Sequence, residues 1–171
     1  MEKAPINLTN MLLFSITPLL AVILVPLYGY LDGYDLYEWL VFLGMMLFCG
    51  LSITAGYHRM WSHKAYKGHP FLRLIAALGG ACALQNDVMH WASDHRRHHR
   101  HVDQNDLDPY SAGRGFWFSH IGWILRHYDS GKEDFSNIKD IQQDKVALWQ
   151  HQHYLILVLL TNIALPAFLG F

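Results

Sequence analysis

The chain has 171 residues, enough for one domain of ordinary size, and its net charge of -1 offers no overall field for nucleic acid. Hydrophobic residues make up 52% of it, and 12 histidines nearly match the 13 lysines and arginines. Its two cysteines, Cys49 and Cys82, sit in separate apolar runs and read as small buried hydrophobes, not as a disulfide or a zinc site.

Residues 4–31 contain no charge, and a bilayer core needs about 20 apolar residues in a helix, so a span is expected over about 11–31. Pro18 and Pro26 fall inside it, which membrane helices tolerate better than soluble ones. A short acidic turn follows, with Asp32, Asp35 and Glu38 among Tyr28, Tyr30, Tyr34, Tyr37 and Trp39. Aromatic residues gather in this way at a membrane interface. A second span is expected over about 39–57, closing a transmembrane hairpin, and a third over about 154–171. The run 74–84 is too short to cross and reads as a buried or interfacial helix. Twelve of the 13 basic residues lie within 58–153, and the hairpin turn has none, so the positive-inside tendency places 58–153 in the cytoplasm. The predicted fold is therefore all-α: an integral, multi-pass membrane protein with a transmembrane hairpin, a cytoplasmic helical cap and the start of a second hairpin. The competing architecture is a soluble helical bundle, against which the 28-residue uncharged run argues.

All 12 histidines fall in that cytoplasmic segment. His58 and His63 lie where the second span ends, and His95, His98 and His99 follow some thirty residues later. Positions three and four apart share a helix face, so His95, His98 and His99 can converge. His58 and His63 are five apart; they converge only if the helix unwinds slightly, or they serve two different metals. Imidazole suits iron, zinc and copper. Five imidazoles without cysteine exceed one tetrahedral zinc and suit a two-metal centre. They also differ from the Glu and Glu-x-x-His ligands of soluble di-iron bundles. A basic patch for phosphate or lipid head groups, built on the run Arg96, Arg97, His98, His99, Arg100 and His101, is the bland alternative. The remaining histidines read as structural or surface residues, with His90 the first exception on proximity.

Together these residues resemble the acyl-CoA (stearoyl-type) desaturases. His58-Arg59-Met60-Trp61-Ser62-His63 has the family's H-R-x-W-S-H form. Gln85-Asn86-Asp87-Val88 and Trp91-Ala92-Ser93-Asp94-His95-Arg96-Arg97-His98-His99 resemble its second box and surroundings, and Gly115 to Trp123 resembles the segment after it. The resemblance implies a membrane enzyme that uses two non-haem irons, O2 and two electrons to place a cis double bond in a long-chain acyl-CoA. It implies iron ligands at His58, His63, His95, His98 and His99. It implies contacts with the coenzyme A head group at Asn86 and Asp94, with Arg126 and His127 as further candidates, and Trp91 as a wall of the acyl tunnel. Ser93 stands where the family often has arginine. Electrons would come from a separate donor protein, cytochrome b5-like or ferredoxin-like, since neither a flavin nor a nicotinamide motif is present. The family carries a third histidine box and one more histidine ligand beyond a second hairpin. Residues 1–171 hold neither, so an incomplete single desaturase domain is expected, unable alone to hold a complete di-iron site. Two other functions fit less well: a related membrane hydroxylase, against which the Trp-Ser form of the first box argues, and a non-catalytic membrane fragment.

Overall fold

The first uncharged run forms helix α1 (Leu8–Leu31). Asn7 starts it by accepting a hydrogen bond from the Asn10 amide at 3.1 Å, and both prolines lie within it. The computed structural model describes residues 4–170, and no strand forms among them beyond an isolated bridge between Ile6 and Arg126. After the acidic turn comes α2 (Leu36–Leu51), which runs without a break into a π-helical segment, Ser52–Ser62. Then follow α3 (Pro70–Cys82), α4 (Val88–Arg100), α5 (Lys145–Leu159), a short π-helical segment (Leu160–Ala164) and α6 (Leu165–Leu169). Three continuous helices are long and apolar enough to cross a membrane: Leu8–Leu31, Leu36–Ser62 and Lys145–Leu169.

Two of these helices reach well beyond the apolar runs visible in the sequence, for identifiable reasons. The second includes the polar stretch after residue 57 because π-helical bonding continues through it. The third starts at Lys145 because Asp144 caps it, accepting from the Val146 amide at 2.9 Å. Polar residues in its first turns find partners inside the protein. Gln150 is fully buried, donates to Tyr57 and the Ala77 carbonyl, and accepts from the Val88 amide.

The chain forms two compact units, residues 1–39 with 98–132, and residues 40–97 with 133–171. In the first, the entry to the second long helix is a reciprocal cap. The Glu38 amide donates to the Asp35 side chain and the Asp35 amide to the Glu38 side chain. Tyr28 also donates to Glu38 at 2.6 Å. The extended start of the chain is fastened to residues 124–127: Asn7 N–H donates to Leu125 O and His127 N–H to Pro5 O, each at 2.9 Å. None of the residues of α1 is buried, as a helix solvated by lipid requires.

In the second unit the π-helical segment packs on α3, and α3 packs on α5. The α3 surface is made small by Ala76, Ala77, Gly79, Gly80 and Ala81. A Cβ on Gly80 would overlap the fully buried Tyr57 ring, and one on Gly56 would stand 2.6 Å from the Ala76 Cβ. These glycines let the backbones approach closely, as small residues do between membrane helices. Tyr57, Met60, Trp61, Val88, Met89 and Ala92 belong to the core that results. Cys49 and Cys82 are both free thiols, partly buried and buried respectively.

Candidate functional site: a histidine centre at the end of a long helix

The π-helical segment resolves the awkward spacing of the first histidine pair. Its bonds run from residue i+5 to residue i, so residues five apart stack along one side. The His63 amide donates to the His58 carbonyl at 3.0 Å, and the Ser62 hydroxyl to the Tyr57 carbonyl at 2.8 Å. In consequence the His63 Nε2 lies 3.0 Å from the His58 Nε2. From α4, the His95 Nε2 also lies 3.0 Å from the His63 Nε2. The three rings meet edge to face, with centroids 4.5 to 5.1 Å apart.

Trp91, one turn before His95 on α4, stacks on the His95 ring at 4.8 Å and meets His58 and Tyr57 edge-on. It forms an indole wall against the imidazoles. His99 follows His95 by one turn on the same helix and therefore on the same face. His98 belongs to the first unit with Asp108. There its Nδ1 lies 2.9 Å from the Asp108 carboxylate, which is fully buried and also accepts from the amides of Asp103 and Tyr110. A carboxylate on one imidazole nitrogen fixes the tautomer and aims the other nitrogen outward. Asp108 escaped the sequence reading because its role depends on a loop that turns back on itself. The spacing of ten residues from His98 carries no helical signal.

Arg96, in the middle of the second box, points into the protein. Its Nη2 donates to the Trp61 carbonyl at 2.8 Å, its Nε to the Ser62 carbonyl at 3.0 Å, and its Nη1 to the Asn137 carbonyl at 2.9 Å. Two nitrogens also grip Asp140, at 2.8 and 3.0 Å. Arg97 pairs with Asp94 at 3.0 Å. Neither arginine is therefore laid out as a simple surface patch for phosphate.

The remaining predicted residues are placed as follows. Asn86 sits in the turn before α4 with a φ of +72°, and its carbonyl accepts from the buried Tyr57 hydroxyl. Asp94 is on α4; burial pushes its carboxyl up to about 6, with Arg97 acting in the opposite direction. Arg126 donates to the Ala4 carbonyl at 2.7 Å and His127 is held through its backbone, both within the first unit. His90 stands apart from His58, His63 and His95, with its two nitrogens facing Asp87 and Glu133.

Fold and site together define a helical protein with membrane-length helices and a centre of clustered imidazoles at the polar end of one of them. The chain belongs to the fatty acid desaturase family, whose model matches residues 37–171. It is 43% identical to an acyl-CoA desaturase of Cyprinus carpio over 133 residues, 76% of this chain and 40% of that protein. It is 37% identical to stearoyl-CoA desaturase 4 of Mus musculus over 163 residues, 94% of this chain and 44% of the relative. A Delta(9)-fatty-acid desaturase of Caenorhabditis elegans is 43% identical over 125 residues, 71% of this chain and 37% of the relative. The matches thus cover less than half the length of each of these relatives.

Proposed function

We propose that this chain supplies the first two histidine groups of a fatty acyl-CoA desaturase. In this reading His58, His63, His95, His98 and His99 hold iron at a two-iron, non-haem centre. The observation that carries it is the approach of the His58, His63 and His95 Nε2 atoms, with both His58 and His95 lying 3.0 Å from His63. The donor set fits: neutral imidazoles are good ligands for iron, and no thiolate competes beside them. Iron bound there, with O2 and two electrons, supplies the oxidising power that an unactivated methylene demands.

The protein's own residues bind, orient and exclude. Trp91 walls the centre with an apolar face, suited to an acyl chain lying against it. Asn86 and Asp94 are the proposed contacts for the coenzyme A head group, with Arg126 and His127 as further candidates. Arg126 already gives one of its donors to Ala4. Holding the chain against the centre is an orientation effect, worth several kcal/mol in well-aligned reactions, roughly 7–11 at its upper range. The excess of basic residues in 58–153 supports a cytoplasmic orientation for that region, in which acyl-CoA and a separate electron donor protein, cytochrome b5-like or ferredoxin-like, would reach the centre from that side.

Iron K-edge X-ray absorption tests the ligand set. A desaturase that carries this chain, loaded with iron in detergent, is expected to show a nitrogen shell with imidazole scattering and no sulfur. The double variant His58→Ala, His95→Ala is expected to lose most of that iron. Undiminished iron in the double variant, or a sulfur shell, would rule the ligand assignment out.

A further inference from the structure

A second group of donors lies in the unit formed by residues 40–97 and 133–171, away from the histidines assigned above. The Asp87 Oδ2 is 2.6 Å from the His90 Nδ1 and 3.2 Å from the His151 Nδ1. One ligand atom from each residue lies within 4.8 Å of the others. The Asp87 side chain is only 4% exposed. Its other oxygen is committed to the start of α4, accepting from the amides of Met89 and His90 at 2.9 and 3.2 Å. That leaves Oδ2 facing the two imidazoles.

Three details make this more than an ion pair. The His151 Nδ1 is buried and faces the Asp87 carboxylate at 3.2 Å without a well-aligned hydrogen bond. The far nitrogen of His90 faces Glu133 at 2.8 Å. A carboxylate on the outer nitrogen is the usual way a metal-ligating histidine is oriented. Phe135 meets both rings edge-on, at 4.9 and 5.7 Å, and covers the cluster with apolar surface.

We propose that Asp87, His90 and His151 form a separate site for one divalent transition ion of the zinc type. Two imidazoles and a carboxylate are a normal zinc donor set, with bonds of about 2.0–2.2 Å, and water completes the coordination. Donors around such an ion stand roughly 3.4 Å apart, so the 2.6 and 3.2 Å gaps from Asp87 need to open by less than about 1 Å. The ion would tie Asp87, just before α4, and His90, in its first turn, to His151 on α5. Because the three donors come together only in the folded chain, the metal's affinity for them becomes folding free energy. The competing occupant is a proton. Burial opposes charge on His90, but Asp87 and Glu133 together raise it to about 9.

Zinc content decides between them. The chain, stripped with a chelator in detergent and dialysed against zinc chloride, is analysed for zinc per protein by mass spectrometry. His151→Gln and His90→Gln are each expected to bind one zinc fewer than the parent, and zinc should raise the melting temperature of the parent more than theirs. The same difference of one is expected when His151→Gln is added to a His58→Ala, His63→Ala, His95→Ala background, where the other centre is disabled. Equal zinc content with and without His151→Gln in both backgrounds would overturn the site and leave a proton-bridged ion pair. The triple background also separates the two metal assignments. Loss of iron chemistry there leaves the zinc difference readable.

Discussion

Replacing His95 with alanine in a desaturase that carries this chain as its residues 1–171 is expected to lower turnover by about 100-fold or more. Loss of an outer-shell partner alone typically costs 10–100-fold in metal affinity or activity, and a direct ligand costs at least the upper end. The His95 Nε2 sits 3.0 Å from that of His63, and its ring carries the Trp91 stack. The loss of that stack costs about 0.5–1.5 kcal/mol. The signature is therefore a folded protein with a melting temperature near the parent's, depleted of iron and nearly inactive. A variant that keeps its iron and half its turnover would remove His95 from the ligand set.

Replacing Arg96 with alanine is expected to be the most damaging single change to the fold beside the centre. Its guanidinium donates to the Trp61 and Ser62 carbonyls, which end the π-helical segment between His58 and His63, and to Asn137 and Asp140. Helix ends leave carbonyls without intrahelical partners, and Arg96 supplies them. Two charge-assisted bonds at the low end of their range give a loss of about 3 kcal/mol. Asp140 adds little to that figure, because its side chain is 39% exposed and its ion pairs are partly screened by water. Arg96→Lys should recover only part of the loss, since an ammonium cannot reproduce the fork. Thermal unfolding in detergent measures both.

The same contact predicts a dependence on acid. The Arg96 hydrogen bonds, with help from Lys64 and against a modest burial cost, hold the Asp140 carboxyl well below its ordinary value of 3.8. A carboxyl depressed by folding contributes stability that is present above that ordinary value and lost as pH falls through the folded one. The parent should therefore lose stability below about pH 4, and Arg96→Ala should flatten that part of the profile. Profiles that run parallel would mean that Arg96 does not set the Asp140 titration.

Much of this was legible in the sequence. Uncharged runs announced the long helices, and the two histidine groups pointed to the place where His58, His63 and His95 come together. The Trp-Ser and Gln-Asn-Asp-Val surroundings led to the desaturase resemblance. What the pattern of residues did not carry was the helical register. His58 and His63 are poor partners on an α-helix, and only i+5 bonding from Ser52 to Ser62 brings them together. The third helix begins at Lys145, ahead of its apolar run; Gln150 and His151 look solvent-facing until Tyr57, Ala77, Val88 and Asp87 are seen beside them. Arg96 and Arg97 suggested a phosphate-binding patch, yet both point charge at partners within the fold. Asp108 and the Asp87–His90–His151 group depend on contacts across loops and between helices, which no local spacing encodes.

The proposed activity of this centre is desaturation of an acyl chain. The most direct measurement is product analysis. This chain, continued by the remaining portion of a desaturase relative and supplied with long-chain acyl-CoA, O2 and an electron donor, is assayed by mass spectrometry of the released fatty acids. The expected product is lighter than the substrate by two hydrogens, carries a cis double bond, and disappears with His58→Ala. A hydroxylated product, or turnover that survives His58→Ala, would contradict it.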